Sequence, residues 1–145
     1  MTPEEFLSPI EEKQIVQAIK KAEKNTSGEI RVHLEKNAEK IGQERALEVF
    51  FELGMQHTAQ KNGVLFYVDT DNKIFSIIGD EGINNVVPND FWESIKEKVI
   101  RQFKTRNYAK GLVEGIEEVG MKLKKYFPYQ SDDINELSDE ISKNY

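Results

Sequence analysis

Three short segments set glycine beside a polar residue where an apolar run begins or ends. They are Thr26-Ser27-Gly28-Glu29-Ile30, Lys61-Asn62-Gly63-Val64 and Ile78-Gly79-Asp80-Glu81-Gly82-Ile83. If the runs pair as their spacing suggests, all three fall at one end of one sheet, and Glu29, Asn62 and Asp80 become neighbours. Two carboxylates brought close together repel, and one pKa rises unless a cation is present. Hard divalent ions such as Ca²⁺ or Mg²⁺ take carboxylate and carbonyl oxygens. Glu29, Asp80, Glu81 and Asn62 are therefore the candidate metal ligands, with Gly79 and Gly82 letting the backbone bend around them. The plainer alternative is that Glu29 and Asp80 are solvated strand-end residues and the glycines only make turns.

The opposite end of the same sheet competes, because open α/β sheets bind ligands beyond the carboxyl ends of their parallel strands. There the chain offers Glu35 and the loop Asp69-Thr70-Asp71. An apolar strand followed by Asp-x-Asp is similar to the nucleophile loop of haloacid-dehalogenase-type phosphatases, in which the first Asp attacks phosphorus and Mg²⁺ neutralises charge. Lys73 stands where that family prefers Thr or Val, and Asp132-Asp133 follows an aromatic, Pro-containing segment rather than a strand. A hairpin turn is the better reading of Asp69 and Asp71, which stay as the candidate second metal site. His33 and His57 are the only imidazoles, and neither has a Ser or Asp partner at a recognisable spacing. The run Lys96, Lys98, Arg101, Lys104, Arg106 and Lys110 reads as the solvated face and C-terminal charges of a helix rather than a phosphate site. No G-x-x-x-x-G-K loop occurs.

The elements that must position these residues follow from periodicity. Ser8-Pro9-Ile10-Glu11 is a capping box with Pro at the first helical position, and Ile15, Ala18, Ile19 and Ala22 then recur at helical spacing. Glu29 to Glu35 alternates strictly, a strand with Ile30, Val32 and Leu34 on one side and a wetter face on the other. A helix is expected from Gln43 to Met55, with Leu47, Phe50, Phe51 and Gly54 inward. Val64 to Val68 is apolar on both faces, a covered central strand, and forms a hairpin with Lys73 to Ile78. The first two strands, joined by a helix, should be parallel.

Two more helices are expected. One starts near Pro88 with Trp92, Ile95, Val99 and Phe103 inward; the other runs from Asn107 to Lys125 with Leu112, Ile116, Val119 and Leu123 inward. Gly111 and Gly115, four apart, suit close approach of a neighbour. Asp133-Ile134-Asn135-Glu136 reads as a capping box for a short helix in an acidic tail. The fold class is α/β, a small mixed sheet with helices on both faces, organised as one domain over residues 1–130 and a tail over 131–145.

Bulk properties narrow the setting. A chain of 145 residues can bury a core without staples. Its 32% charged and 38% hydrophobic content describes a globular protein with a well-solvated surface. No apolar run approaches the ~18–20 residues that cross a bilayer, so direct membrane insertion is not expected. The absence of cysteine removes disulfides, thiol nucleophiles and thiolate zinc sites and is compatible with the cytoplasm. A net charge of −6 argues against nucleic acid as a partner.

The three glycine segments, with Ala18-Ile19 through Ala22-Glu23, Phe91-Trp92, and Tyr108 with Gly111-Leu112, resemble the TPM-domain family over residues 10 to 127. The resemblance implies a Rossmann-like α/β/α sandwich. It implies a spread of roles that includes a thylakoid acid phosphatase, photosystem-repair factors, a membrane-anchored receptor modulator and divalent-metal binders. By position it carries the shared site onto Glu29, Asn62 and Asp80. The expectation is a monomeric, non-catalytic interaction module that holds Ca²⁺ or Mg²⁺ at a carboxylate-lined sheet edge and acts with a protein partner. The alternative is a metal-dependent acid phosphatase acting on phosphomonoesters; a third is an adaptor working through Trp92 or the acidic tail.

Overall fold

The structure is a computed structural model that describes residues 3–36, 39–40, 42–130 and 137–144. The elements run α1 (Pro3–Phe6), α2 (Pro9–Ala22), β1 (Glu29–Glu35), α3 (Gln43–Glu52), β2 (Gly63–Asp69) and β3 (Ile74–Gly79). They continue with α4 (Glu81–Asn84), α5 (Glu93–Lys104), α6 (Tyr108–Leu123) and β4 (Ser142–Asn144).

α2 begins on the capping box read from the sequence. The Glu11 N–H donates to Ser8 Oγ at 3.2 Å, and the Ser8 N–H donates to Glu11 Oε1 at 2.9 Å. Ile15, Ala18, Ile19 and Ala22 are buried. The sheet has the order β3-β2-β1-β4. β1 and β2 are parallel, from Glu29 opposite Gly63 to Glu35 opposite Asp69, and β2 and β3 form the expected antiparallel hairpin.

Strand alternation sorts two cores. Ile30, Val32, Leu34, Val64, Phe66, Val68 and Ile77 pack with α2, α5 and α6 on one face. Leu65, Tyr67 and Ile78 pack with Ala46, Val49 and Phe50 of α3, and with Met55, on the other. The result is an α/β/α sandwich. Gly115 lies where α5 crosses α6, and a Cβ there would sit 2.6 Å from Val99 Cγ2.

Four expectations are corrected. The inner stripe of α3 is Ala46, Val49 and Phe50, while Leu47 and Phe51 are 47% and 53% exposed. The apolar residues occupy more than one face of that helix, and its packing against β2 and β3 selects the stripe. α5 starts at Glu93 rather than near Pro88, so Trp92 is its N-cap residue, and its ring packs inward against the core as expected. The polar face of β1 is largely covered: Glu29, His33 and Glu35 are 4%, 5% and 1% exposed, with Arg31 half-buried. Finally, the acidic tail contributes a strand. β4 pairs parallel to β1, from His33 opposite Ser142 to Glu35 opposite Asn144. The capping-box reading at Asp133–Glu136 and the pair Asp132-Asp133 lie outside the described residues. Among the described residues no helix is long and apolar enough to cross a membrane.

Candidate functional site

The three glycine segments meet at one sheet end. Glu29 is paired with Gly63, and its N–H donates to Asn62 O at 3.2 Å. Val64 is paired with Gly79, and one step further the Asp80 N–H donates to Gly63 O at 3.0 Å. Glu29, Gly63 and Asp80 thus form one row across β1, β2 and the end of β3. The central position has no side chain, so two carboxylates flank a gap about two strand spacings wide, roughly 10 Å between backbones.

Each member has a definite local job. Asp80 is the N-cap of α4, where its Oδ1 accepts the Glu81 N–H at 2.7 Å. Its Oδ2 is buried and has no hydrogen-bond partner among the described residues. Glu29 accepts the Leu137 N–H on Oε1 at 2.6 Å. Asn62, 2% exposed, donates from Nδ2 to Ser27 O at 3.2 Å and from its backbone to Thr58 Oγ1 at 3.3 Å, tying the β2 entry to the β1 entry. Glu81 is exposed in the first turn of α4. Gly82 is required by close approach: a Cβ there would lie 2.2 Å from Gln60 O and 2.5 Å from Lys61 O.

The corner therefore offers oxygen at two points of α4: the Gln60 and Lys61 carbonyls press against Gly82, and the N-cap Asp80 carries a carboxylate oxygen unpartnered among the described residues. That donor chemistry fits a hard cation such as Ca²⁺ or Mg²⁺ and not a soft one. Among the described residues no three His, Asp or Glu side chains converge as a ready metal cage. A cation at Asp80 would draw on backbone oxygens and water as well as carboxylate.

The opposite sheet end is closed by its own side chains. Arg45 of α3 holds Glu35 with two hydrogen bonds, Nε to Oε2 at 2.8 Å and Nη2 to Oε1 at 2.7 Å. The Tyr67 hydroxyl donates to Oε2 at 2.7 Å, and Asn144 Nδ2 donates to Oε1 at 3.0 Å. Burial alone would push the Glu35 carboxyl up; the bonds from Arg45, Tyr67 and Asn144, with the Arg45 charge, outweigh it and hold the pKa at about 2. His33 lies against Glu35 and Ser142 Oγ, and burial lowers its pKa.

The other sequence candidates are placed as follows. Asp69 Oδ1 accepts the N–H groups of Asp71 and Asn72 at 3.0 and 3.2 Å, and Oδ2 accepts Asn72 Nδ2 at 2.9 Å. This is Asx-turn geometry inside the hairpin, and Asp71 is exposed. His57 is exposed beyond the end of α3.

One functional-looking group escaped the sequence reading. Glu23, just past α2, accepts the Ile30 N–H on Oε2 at 3.1 Å and shares a hydrogen bond with the Asp139 carboxyl. Burial first, then Asp139, and then the nearby Glu29 push its pKa up to about 9. The available signal was its spacing: Glu23 stands four residues after Ile19, on the helix stripe that faces the sheet.

A family model described as the TPM domain matches residues 1–122. Among solved structures, the chain is similar to the BA42 protein from the psychrophilic bacterium Bizionia argentinensis. The two share 55% identity over 98% of each chain, with a TM-score of 0.92. It is also similar in fold to the N-terminal domain of a P. gingivalis protein, at 22% identity and TM-score 0.66 over 84% of this chain and 79% of that one. The N-terminal domain of the cg2496 protein from Corynebacterium glutamicum matches at 11% identity and TM-score 0.64, over 96% of this chain and 80% of that one. No curated protein matches. The chain belongs to the TPM-domain family.

Proposed function

We propose that this TPM domain is a divalent-cation-binding module that works with a protein partner in the cytoplasm rather than as an enzyme. The observation that carries the reading is Asp80 Oδ2, a buried carboxylate oxygen with no partner among the described residues. An unsatisfied buried polar atom costs about 1–3 kcal/mol, and a cation is a partner that a carboxylate oxygen accepts. Asp80 would hold the ion, with Glu81 and Glu29 as the nearest added carboxylates and Asn62 fixing the loop that carries the carbonyls. Bound there, a cation would order the Gly79–Ile83 turn and place positive charge on a surface of a protein whose net charge is −6.

The test is a titration of the full chain with Ca²⁺ and separately Mg²⁺, followed by backbone amide shifts. Shifts at Gly28, Asn62, Asp80 and Gly82 are expected, and they should vanish in Asp80→Asn. Amides at this corner that stay still at millimolar metal would reject the reading. A phosphomonoester assay at acidic and neutral pH, run on the same samples, checks the phosphatase alternative. Metal-dependent turnover abolished by Glu29→Gln and by Asp80→Asn would replace the module reading with that enzyme.

A further inference from the structure

The C-terminal segment is seated on the row that defines the candidate cation site. The Leu137 N–H donates to Glu29 Oε1 at 2.6 Å. Its side chain lies over the empty position of the row, with Cδ1 3.7 Å from where a Gly63 Cβ would be. The same segment is fixed at four more points. Asp139 bonds the Glu23 carboxyl, and Ser142 Oγ meets His33 Nδ1 at 2.9 Å. Lys143 Nζ pairs with Glu12 at 2.6 Å, and Asn144 Nδ2 donates to Glu35.

Backbone pairing is short by comparison. β4 covers three residues of β1, and Ile30, further along that edge, already gives its N–H to Glu23. The polar side chains of β1 are thus receptors for this segment. A short edge strand held mainly by side chains opens more readily than the central strands.

We propose that residues 137–144 form a releasable strap that closes the Glu29–Gly63–Asp80 row and competes with a divalent cation for it. This rests on the cation reading of the corner. Docked, the strap occupies Glu29 with an N–H and fills the gap above Gly63 with an apolar side chain. A cation that drew Glu29 toward Asp80 would displace Leu137. Cation binding and strap docking then share one carboxylate, and each weakens the other by the same factor. The ion's arrival is read out as release of the β1 edge, where a partner's extended segment can add as a strand.

The test uses the full chain with Ca²⁺ or Mg²⁺ alone. In metal-free protein, amide exchange at Leu137 and Lys143 should be faster than at Phe66 and Val68 of β2, and saturating metal should speed the first pair further. Ser142→Pro removes the hydroxyl that meets His33 and disrupts β4, so it favours the open strap. With the strap open in about 1–10% of wild-type molecules, this variant should bind the cation about tenfold or more tightly.

Equal affinity in both proteins, with Leu137 exchange unchanged by metal, overturns the strap while leaving the cation reading intact. A response in both proteins that is tighter in Ser142→Pro, with Leu137 exchange sped by metal in wild type, supports it. Silence in both overturns the cation reading and the strap with it. If Ser142→Pro does not fold, wild-type exchange decides: strap amides that open only with β2 overturn the proposal.

Discussion

At Asp80 one carboxylate oxygen caps α4 while the other meets no partner among the described residues, so the two roles separate by substitution. Asp80→Asn keeps a capping side chain and should change stability by only a few tenths of a kcal/mol, whereas Asp80→Ala should lose about 1 kcal/mol. Both should lose the metal-induced amide shifts, and urea melts run beside the titration make the comparison. Glu35 is the opposite case, a carboxylate fully engaged by Arg45, Tyr67 and Asn144. Removing it in Glu35→Ala leaves Arg45 its more exposed partners Glu48 and Glu52 but strips the buried Tyr67 hydroxyl of its acceptor. The expected loss is about 1–3 kcal/mol by urea unfolding. Its folded pKa is depressed, so the Glu35 contribution is present above the ordinary value of 4.5 and is lost as pH falls through about 2. Period-two alternation marked Glu35, His33 and Glu29 as one face of a strand. It carried no information on what covers that face, because the cover comes from α3 and from residues more than a hundred positions away.

The elements were legible in proportion to how local their causes are. The α2 capping box, the parallel β1 and β2, the hairpin turn at Asp69 and the inward stripe of α6 all stand where residue pattern places them. α3 departs because Ala46, Val49 and Phe50 compete with Leu47 and Phe51 for the inward stripe, and sheet contact decides between them. β4 was unreadable, since Ser142-Lys143-Asn144 has no strand propensity of its own and is held by side chains on β1. Close packing at the site can be tested at this scale. Gly82→Ala drives a methyl into the Gln60 and Lys61 carbonyls and should cost about 1–3 kcal/mol. Amide shifts in that variant should concentrate in residues 58–64 and α4.

Across the whole molecule, the Glu23–Asp139 carboxyl contact is expected to link docking of the C-terminal segment to a proton, because burial and Asp139 favour the neutral Glu23. Glu23 is faced by Asp139 from that segment and by Glu29 and the Ile30 N–H from β1. Lys20 and Lys21 from α2, Lys24 from the turn after it and Glu117 from α6 share its groove. Its folded pKa is raised from 4.5 to about 9. The stability it contributes is therefore fully present below 4.5 and declines as pH rises toward about 9, by up to ~1.4 kcal/mol per pH unit. Glu23→Gln keeps an amide that can donate to Asp139 and accept from Ile30. It should flatten the pH dependence of urea stability between pH 5 and 9, with little change at pH 5. An unchanged slope would remove Glu23 from that role.

By itself the sequence determined the α/β class, the parallel and hairpin pairings and the sheet end where Glu29, Asn62 and Asp80 gather. Capping, alternation and turn chemistry are local, and short connections leave few ways to pair the strands. Only the tertiary structure decided what those carboxylates touch: Leu137 on Glu29, no partner among the described residues on Asp80 Oδ2, Asp139 on Glu23. Such meetings join residues up to 116 positions apart. They are set by how helices and the C-terminal segment cover the sheet, which no local pattern encodes.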